Sequence, residues 1–454
     1  MIPSLNQYFR CSDSLADFAV EGELSKNPGY FRFGSDTVCY GRLSVGLRSD
    51  VPGPVLYDVS AQVHPNGCSV FLPFDPGEVI DNLRKERYAT KHNPNQSHSL
   101  IRDAYYRIRP VLPLAVRRHL QRIYLRDWNK LPFPAWPVGR TVDSLMRQLL
   151  LLGVKSKKLD RIPFIWFWPD GADACAIMTH DVETERGRQF CYEMMNLDDS
   201  YGVPASFQIV PEKRYVVERQ FLNDIKRRGF EVNVQDLNHD GKLFQDKAEF
   251  ERRVKEINRY GREYEAAGFR SAVLYRDQAW YDLLEFEYDM SVPNVAHLDP
   301  QRGGCCTVMP YFVGGLLELP VTTTQDHSLF NVLNNFTTNL WKQQTDSILQ
   351  QHGLMSFIIH PDYIIARRAQ ETYKSLLAML ARLQSESNVW LALPKDVNRW
   401  WRQRDKMVLT CNEGKWSIEG PGSERARIAF AIVDNDRLVF SLAGEPSARL
   451  IQAR

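Results

Sequence analysis

No run of apolar residues in the 454-residue chain approaches the roughly 20 needed to span a bilayer. The first fifteen residues also lack the basic start and apolar core of a secretion signal, so the expectation is a cytoplasmic protein. An excess of charge of one sign is missing as well. Fifty-seven Lys plus Arg against 55 Asp plus Glu leave a net +2, which excludes a globally basic nucleic-acid binder. The eight cysteines (Cys11, Cys39, Cys68, Cys175, Cys191, Cys305, Cys306 and Cys411) contain no CxxC pair, which argues against a zinc ribbon and a dense disulfide framework and predicts free thiols. The adjacent Cys305 and Cys306 read as packing residues. What is present is an ordinary globular composition, 44% hydrophobic and 25% charged, on a chain long enough for two or three domains.

Residues 1–85 form a β-rich N-terminal element in this reading, with short β-like runs in 30–72 separated by Pro-Asn-Gly and Pro-Gly turn signals. Residues 86–165 read as a basic helical linker. Within it, 101–161 carry fourteen Lys or Arg against four Asp or Glu. Val116, Leu120, Ile123 and Tyr124 recur at helical spacing opposite Arg117, Arg118, Arg122 and Arg126. This basic face either is solvated or makes peripheral contact with an anionic membrane or an anionic substrate. The Pro-rich stretch Leu131-Pro-Phe-Pro-Ala-Trp-Pro137 then reads as a rigid connector.

From residue 166 to 404 apolar runs of five to seven residues alternate with longer amphipathic segments, the form of repeated βα units on a mostly parallel sheet. Strands are expected at 174–179, 205–210, 230–234, 270–274, 316–321, 355–359 and 389–393, and helices near 216–228, 247–266, 328–351 and 366–386. Seven strands suit an α/β barrel. Residues 405–454 form a C-terminal β-rich element, with a hairpin turning at Asp434-Asn-Asp436.

In such a barrel, polar groups at the carboxyl ends of strands converge on one face. That rule selects Thr179-His-Asp-Val-Glu183, Gln235-Asp-Leu-Asn-His-Asp240, Gly268-Phe-Arg270 and His360-Pro-Asp362. The ordered set Asp181-Val-Glu183, Gln235-x-x-x-His239, Arg270, Tyr288-Asp289 and Ile358-Ile-His360 resembles the five motifs of the NodB-like polysaccharide deacetylases, the family 4 carbohydrate esterases. The likeness spans about residues 174–401, half the chain, and implies a distorted (β/α) barrel. Gly303-Gly-Cys-Cys306 and Glu318-Leu-Pro320 look like features of a subgroup.

The resemblance implies a hydrolase that removes an acetyl group from an N-acetylated sugar or polysaccharide precursor. Asp181 would be the general base, His360 the general acid, and Arg270 the cation that keeps Asp181 ionised. Asp289 would orient His360 or Arg270. Glu183, His239 and Gln235 would stand at the metal-ligand positions, for a divalent ion such as zinc. Gln235 occupies the place of the first His of the HxxxH motif, and an amide oxygen is a weaker ligand than imidazole for such ions. Three readings therefore stand side by side: a metal-assisted deacetylase, a metal-free amide hydrolase of the same fold, and a carbohydrate-binding barrel without turnover. His180 and His327 read as structural.

Overall fold

A computed structural model of the chain describes residues 3–11, 17–67, 69–90, 120 and 123–443. Most of the predicted basic amphipathic helix, including Arg117, Arg118 and Arg122, lies outside the described residues. Among the described residues no helix is long and apolar enough to cross a membrane. The seven described cysteines are free, and all but Cys411 are buried.

The barrel strands are β1 (Ala174–Val182), β2 (Ala205–Ile209), β3 (Glu231–Gln235), β4 (Gly268–Arg270), β5 (Tyr288–Asp289), β6 (Tyr311–Val313), β7 (Leu316–Glu318), β8 (Leu354–Ile359) and β9 (Val389–Leu391). They lie in the order β6-β7-β5-β4-β3-β2-β1-β8, with β9 also on β1. Every pairing is parallel except the β6–β7 hairpin. Since β8 covers residues 175–180 of β1, the pairings of β9 with 174–176 and of β2 with 178–182 share its other edge. The sheet splits there. On the far side the gap between β7 and β8 is bridged by Thr322 and Thr323. Their hydroxyls each donate to a β8 carbonyl, of Leu354 and Ser356, at 2.7 Å. The result is the expected distorted (β/α) barrel, closed partly by side chains.

The helices that cover it include α1 (Glu185–Tyr201), α2 (Arg219–Arg227), α3 (Lys247–Tyr264), α4 (Asn339–Leu349) and α5 (Arg367–Ser387). Helix α1 was not predicted, because its apolar stripe is interrupted by charge. Its punctuation is nevertheless written in the chain: Thr184 accepts from Gly187 N at the start, and Gly202 takes the left-handed conformation just past the end. The single helix expected over 328–351 is two pieces. Asn334 adopts a left-handed conformation (φ 51°), and Asn335 accepts from Thr337 N, so α4 begins only at Asn339.

Flanking β units pack on this frame. The predicted C-terminal hairpin is Ile428–Asp434 with Arg437–Leu442, and it pairs antiparallel with Arg161–Ile165. The N-terminal element supplies the hairpin of Gly29–Arg32 with Val38–Gly41 and a small sheet of Asp17–Val20, Ser69–Leu72 and His64–Asn66. One apolar cluster runs from Phe9 and Phe31 through Phe164 and Trp166 to Phe440, and a second fills the space between the barrel strands and their helices. In the Gly303-Gly-Cys-Cys306 turn, Gly304 has φ 135°, and any side chain there would run into the Asn294 carbonyl. The turn thereby seats both cysteines in the core.

The barrel interior is unusually polar. Ser206, Gln208, Glu231, Asn233, Gln235, Arg270 and Ser356 are all buried. At its amino end Glu231 accepts from the Tyr288 hydroxyl and from Lys395 N, and burial pushes its carboxyl up to about 7. The folded state therefore binds this proton more tightly than the unfolded chain does. Glu231 should add stability that is fully present below about pH 4.5, lost as pH rises towards 7, and worth about 3 kcal/mol over that window. Denaturant midpoints measured from pH 4 to 8 should fall with rising pH in the wild type and less so in Glu231→Gln. Parallel pH dependences in the two proteins would rule this group out as the cause.

Candidate active site

Side chains alternate along a strand, so β1 sends Thr179 and Asp181 into the barrel while His180 points towards the helices. His180 Nε2 lies 2.9 Å from Asp198 Oδ2, and Asp198 also accepts from the Tyr373 hydroxyl. It is a buried structural pair, as read from the sequence. On the inner side Arg270, from the end of β4, donates through Nη1 to Asp181 Oδ1 at 2.7 Å and to Thr179 Oγ1 at 2.7 Å, and through Nε to the Met290 carbonyl at 3.0 Å. Its Nη2 is buried without a hydrogen-bond partner.

Gln235, from the end of β3, donates through Nε2 to Asp181 Oδ2 at 2.9 Å. A carboxylate can only accept, so this contact fixes which end of the amide faces Asp181. Gln235 Oε1 is left buried with no partner. Both oxygens of Asp181 are thus held, one by a cation and one by a neutral amide.

Glu183 extends beyond the end of β1, between two imidazoles. His239 Nε2 lies 2.8 Å and His360 Nε2 3.3 Å from Glu183 Oε1. The approach of His239 lacks hydrogen-bond geometry, and neither of its ring nitrogens has a hydrogen bond. His239 is aimed inward by its loop: Asp236 and His239 take left-handed conformations (φ 51° and 53°). Arg253 of α3 grips the same loop, donating to both oxygens of Asp240 at 2.7 and 2.9 Å and to Asn238 at 3.2 Å. Burial of Glu183 opposes its ionisation, but the charges of His239 and His360 outweigh that and hold its carboxyl well below the ordinary range.

His360 caps the end of β8. Its Nδ1 lies 2.6 Å from Asp326 Oδ1, and its backbone N donates to Asp326 Oδ2 at 2.8 Å. Burial alone would lower the pKa of His360, yet Asp326 and Glu183 push it well above the ordinary histidine value. Its Nε2 is turned to the site, 3.3 Å from Glu183 Oε1. The orienting carboxylate is Asp326, which the sequence reading did not select, although the strand-end rule reaches it eight residues past Glu318. Asp289 is elsewhere. Its oxygens accept from Ser291 N at 2.9 Å and Ser291 Oγ at 2.7 Å, and Ser291 Oγ in turn accepts from Ser271 N at 2.8 Å. It buttresses the backbone beside Arg270 and has no hydrogen bond to His360. Buried next to Glu318, it shares a site in which burial raises both carboxyls, the Glu318 carboxyl well above its ordinary value. His327 lies near the site, its ring 5.7 Å from that of Tyr363, which in turn is 4.9 Å from that of His360.

The barrel therefore brings together Asp181, Glu183, Gln235, His239, Arg270 and His360. One ligand atom each from Asp181, Glu183 and His360 lies within 4.8 Å of the others, a spacing that could hold a metal ion. The chemistry of the set fits a divalent cation: a carboxylate oxygen beside a histidine with unbonded ring nitrogens and an unpartnered amide oxygen.

No family model and no curated protein matches the chain. Solved structures similar to part of it include a candidate polysaccharide deacetylase from Mycobacterium smegmatis, at 18% identity and a TM-score of 0.43, covering 52% of this chain and 93% of that one. A probable polysaccharide deacetylase from Pseudomonas aeruginosa PAO1 is 14% identical with a TM-score of 0.42, covering 52% and 93%. Puue allantoinase is 13% identical with a TM-score of 0.40, covering 52% and 92%.

Proposed function

We propose that the chain is a hydrolase that removes an acyl group, in the first place acetyl, from the nitrogen of an amino sugar or a sugar-containing precursor. The observation that supports this most directly is the convergence of Asp181, Glu183 and His360 within 4.8 Å, with Arg270 behind Asp181 and His239 beside Glu183. Amide hydrolysis needs a group to take a proton from water and a group to give one to the leaving amine. Asp181 is the base. Its carboxylate is held in place by Arg270 and Gln235. His360, kept protonated by Asp326 and Glu183, is the acid, and its Nε2 carries the proton to be given. Glu183 and His239, with Gln235 Oε1 available, are the residues that would hold a divalent ion. Such an ion, when bound, polarises a carbonyl and lowers the pKa of water.

A second reading, metal-free hydrolysis, draws on one specific feature: Glu183 already has two imidazoles within 3.3 Å, so its charge is compensated without a cation. Calorimetric titration with zinc separates the two. Metal assistance predicts saturable binding that is lost in Glu183→Gln and tightened in Gln235→His, because imidazole is the stronger ligand for such ions. The same proteins are assayed for amine release from N-acetylated amino sugars with and without chelator. Undetectable zinc binding in both wild type and Gln235→His, with turnover unaffected by chelator, would leave the metal-free reading.

A further inference from the structure

The start of α5 and the loop that leads into α4 enclose a groove of about 710 Å³, lined by Phe336, Thr337, Thr338 and Asn339 on one side and by Arg367, Arg368, Glu371 and their neighbours on the other. Helix α5 follows β8 through His360 and a short turn, and α4 follows the loop that carries Asp326. The beginnings of helices that follow parallel strands lie at the carboxyl ends of those strands. The groove therefore opens on the same face as Asp181, Glu183 and His360.

Its charge is unbalanced. Glu371 is the natural partner of both arginines, three residues from Arg368 and four from Arg367 on one helix. Instead it accepts from Lys374 Nζ at 3.2 Å, and among the described residues neither arginine has an ion pair. Arg368 also lies over an aromatic ring. Its guanidinium carbon lies 4.3 Å from the centroid of the Phe336 ring, and Phe336 stacks on buried Phe330 at 4.8 Å and 2°. A cation–π contact uses none of the guanidinium N–H groups in a hydrogen bond to an acceptor oxygen, and the planar fork they form matches the oxygens of a phosphoryl group. Because this contact exists beforehand, less freedom is lost on binding.

We infer that this groove is an anion-binding site for a phosphoryl group, a phosphate or pyrophosphate ester. On the catalytic face it would hold the phosphate of an activated or carrier-linked sugar whose N-acyl group enters the site of Asp181 and His360. The second statement rests on the hydrolase reading. The first does not.

The test is calorimetric titration of the full chain with inorganic pyrophosphate at low and moderate salt. Saturable binding is expected, weakening as salt rises. The dissociation constant should increase at least tenfold in the Arg367→Gln/Arg368→Gln double variant. Both arginines are exposed, and thermal melts verify that the double variant folds. Absence of saturable binding to the wild type, or equal binding by the double variant, overturns the site. Titration with UDP-N-acetylglucosamine and with N-acetylglucosamine then assigns the source of the phosphoryl group. Tighter binding of the diphosphate sugar than of both pyrophosphate and the free sugar supports a sugar donor. Binding of UDP-N-acetylglucosamine no tighter than pyrophosphate overturns the donor assignment while leaving the anion site. Neither result depends on turnover, so failure to detect hydrolysis is a separate outcome.

Discussion

Asp181→Asn is expected to lower amide hydrolysis by about 10²- to 10⁴-fold while substrate binding changes little, because asparagine keeps the shape of the side chain but cannot take a proton from water. The substitution carries a structural cost as well. Arg270 is fully buried and its Nη1 reaches Asp181 Oδ1 at 2.7 Å. Removing one partner of a buried ion pair costs about 3–5 kcal/mol when the other charge is left uncompensated. Asparagine can still accept from Nη1, so the loss of stability should lie at or below that range, and a thermal melt beside the assay separates unfolding from loss of the base. Steady-state kinetics on a panel of N-acetylated amino sugars reads the effect. A folded Asp181→Asn protein with wild-type kcat would refute the assignment of the base.

The second large effect is on the acid. His360→Ala should cost turnover by about 10²- to 10⁴-fold, with the loss in kcat exceeding any change in KM. Asp326→Asn gives a graded version of the same experiment. Asp326 keeps His360 charged through the 2.6 Å contact at Nδ1, so removing its charge lowers the pKa of His360. The protonated acid then disappears at lower pH, and the alkaline limb of the pH–rate profile should move towards acid. A structural role alone would lower activity at every pH without moving that limb. If Asp326→Asn leaves the limb in place, Asp326 does not tune the acid.

Much of the candidate site could be read from the chain because strand ends are local features. The apolar run before Asp181, the run before His360 and the short run before Gln235 each mark a strand whose last residues must reach one rim of a barrel. Most strands are found close to where periodicity put them: β1 begins at Ala174, β2 at Ala205, β7 at Leu316 and β8 at Leu354. The strand expected at 270–274 instead ends at Arg270, because Val273 and Leu274 take left-handed conformations (φ 58° and 54°), and the short β5 and β6 were not predicted. Where prediction and structure part, the cause is local chemistry overriding pattern. The segment 328–351 has helical composition throughout, but the Asn334-Asn335 pair offers the backbone turn conformations that compete with a helix.

Alternation was legible too, but not its meaning. Glu231-Val-Asn-Val-Gln235 has the period of a strand with one wet face, yet all five residues are buried. In a barrel the second face is the interior, and there the polar side chains satisfy one another: Asn233 donates to the Tyr288 hydroxyl at 2.8 Å, and Gln235 donates to Asp181 at 2.9 Å. Such partners lie 55 and 54 residues apart in the chain.

The sequence by itself thus determined the class of fold, most of the strands, and the order in which Asp181, Glu183, Gln235, His239, Arg270 and His360 are offered to one rim. Only the tertiary structure decided which of them touch. It gave His360 the carboxylate of Asp326 and sent Asp289 to Ser291, turned the amide of Gln235 towards Asp181, and set Glu183 between two imidazoles. The physical reason is that periodicity records the face a side chain takes on its own strand, whereas a hydrogen bond or an ion pair depends on distances of a few ångströms between loops far apart in the chain. Those distances are fixed by the register of the parallel strands and by anchors such as the Arg253–Asp240 pair.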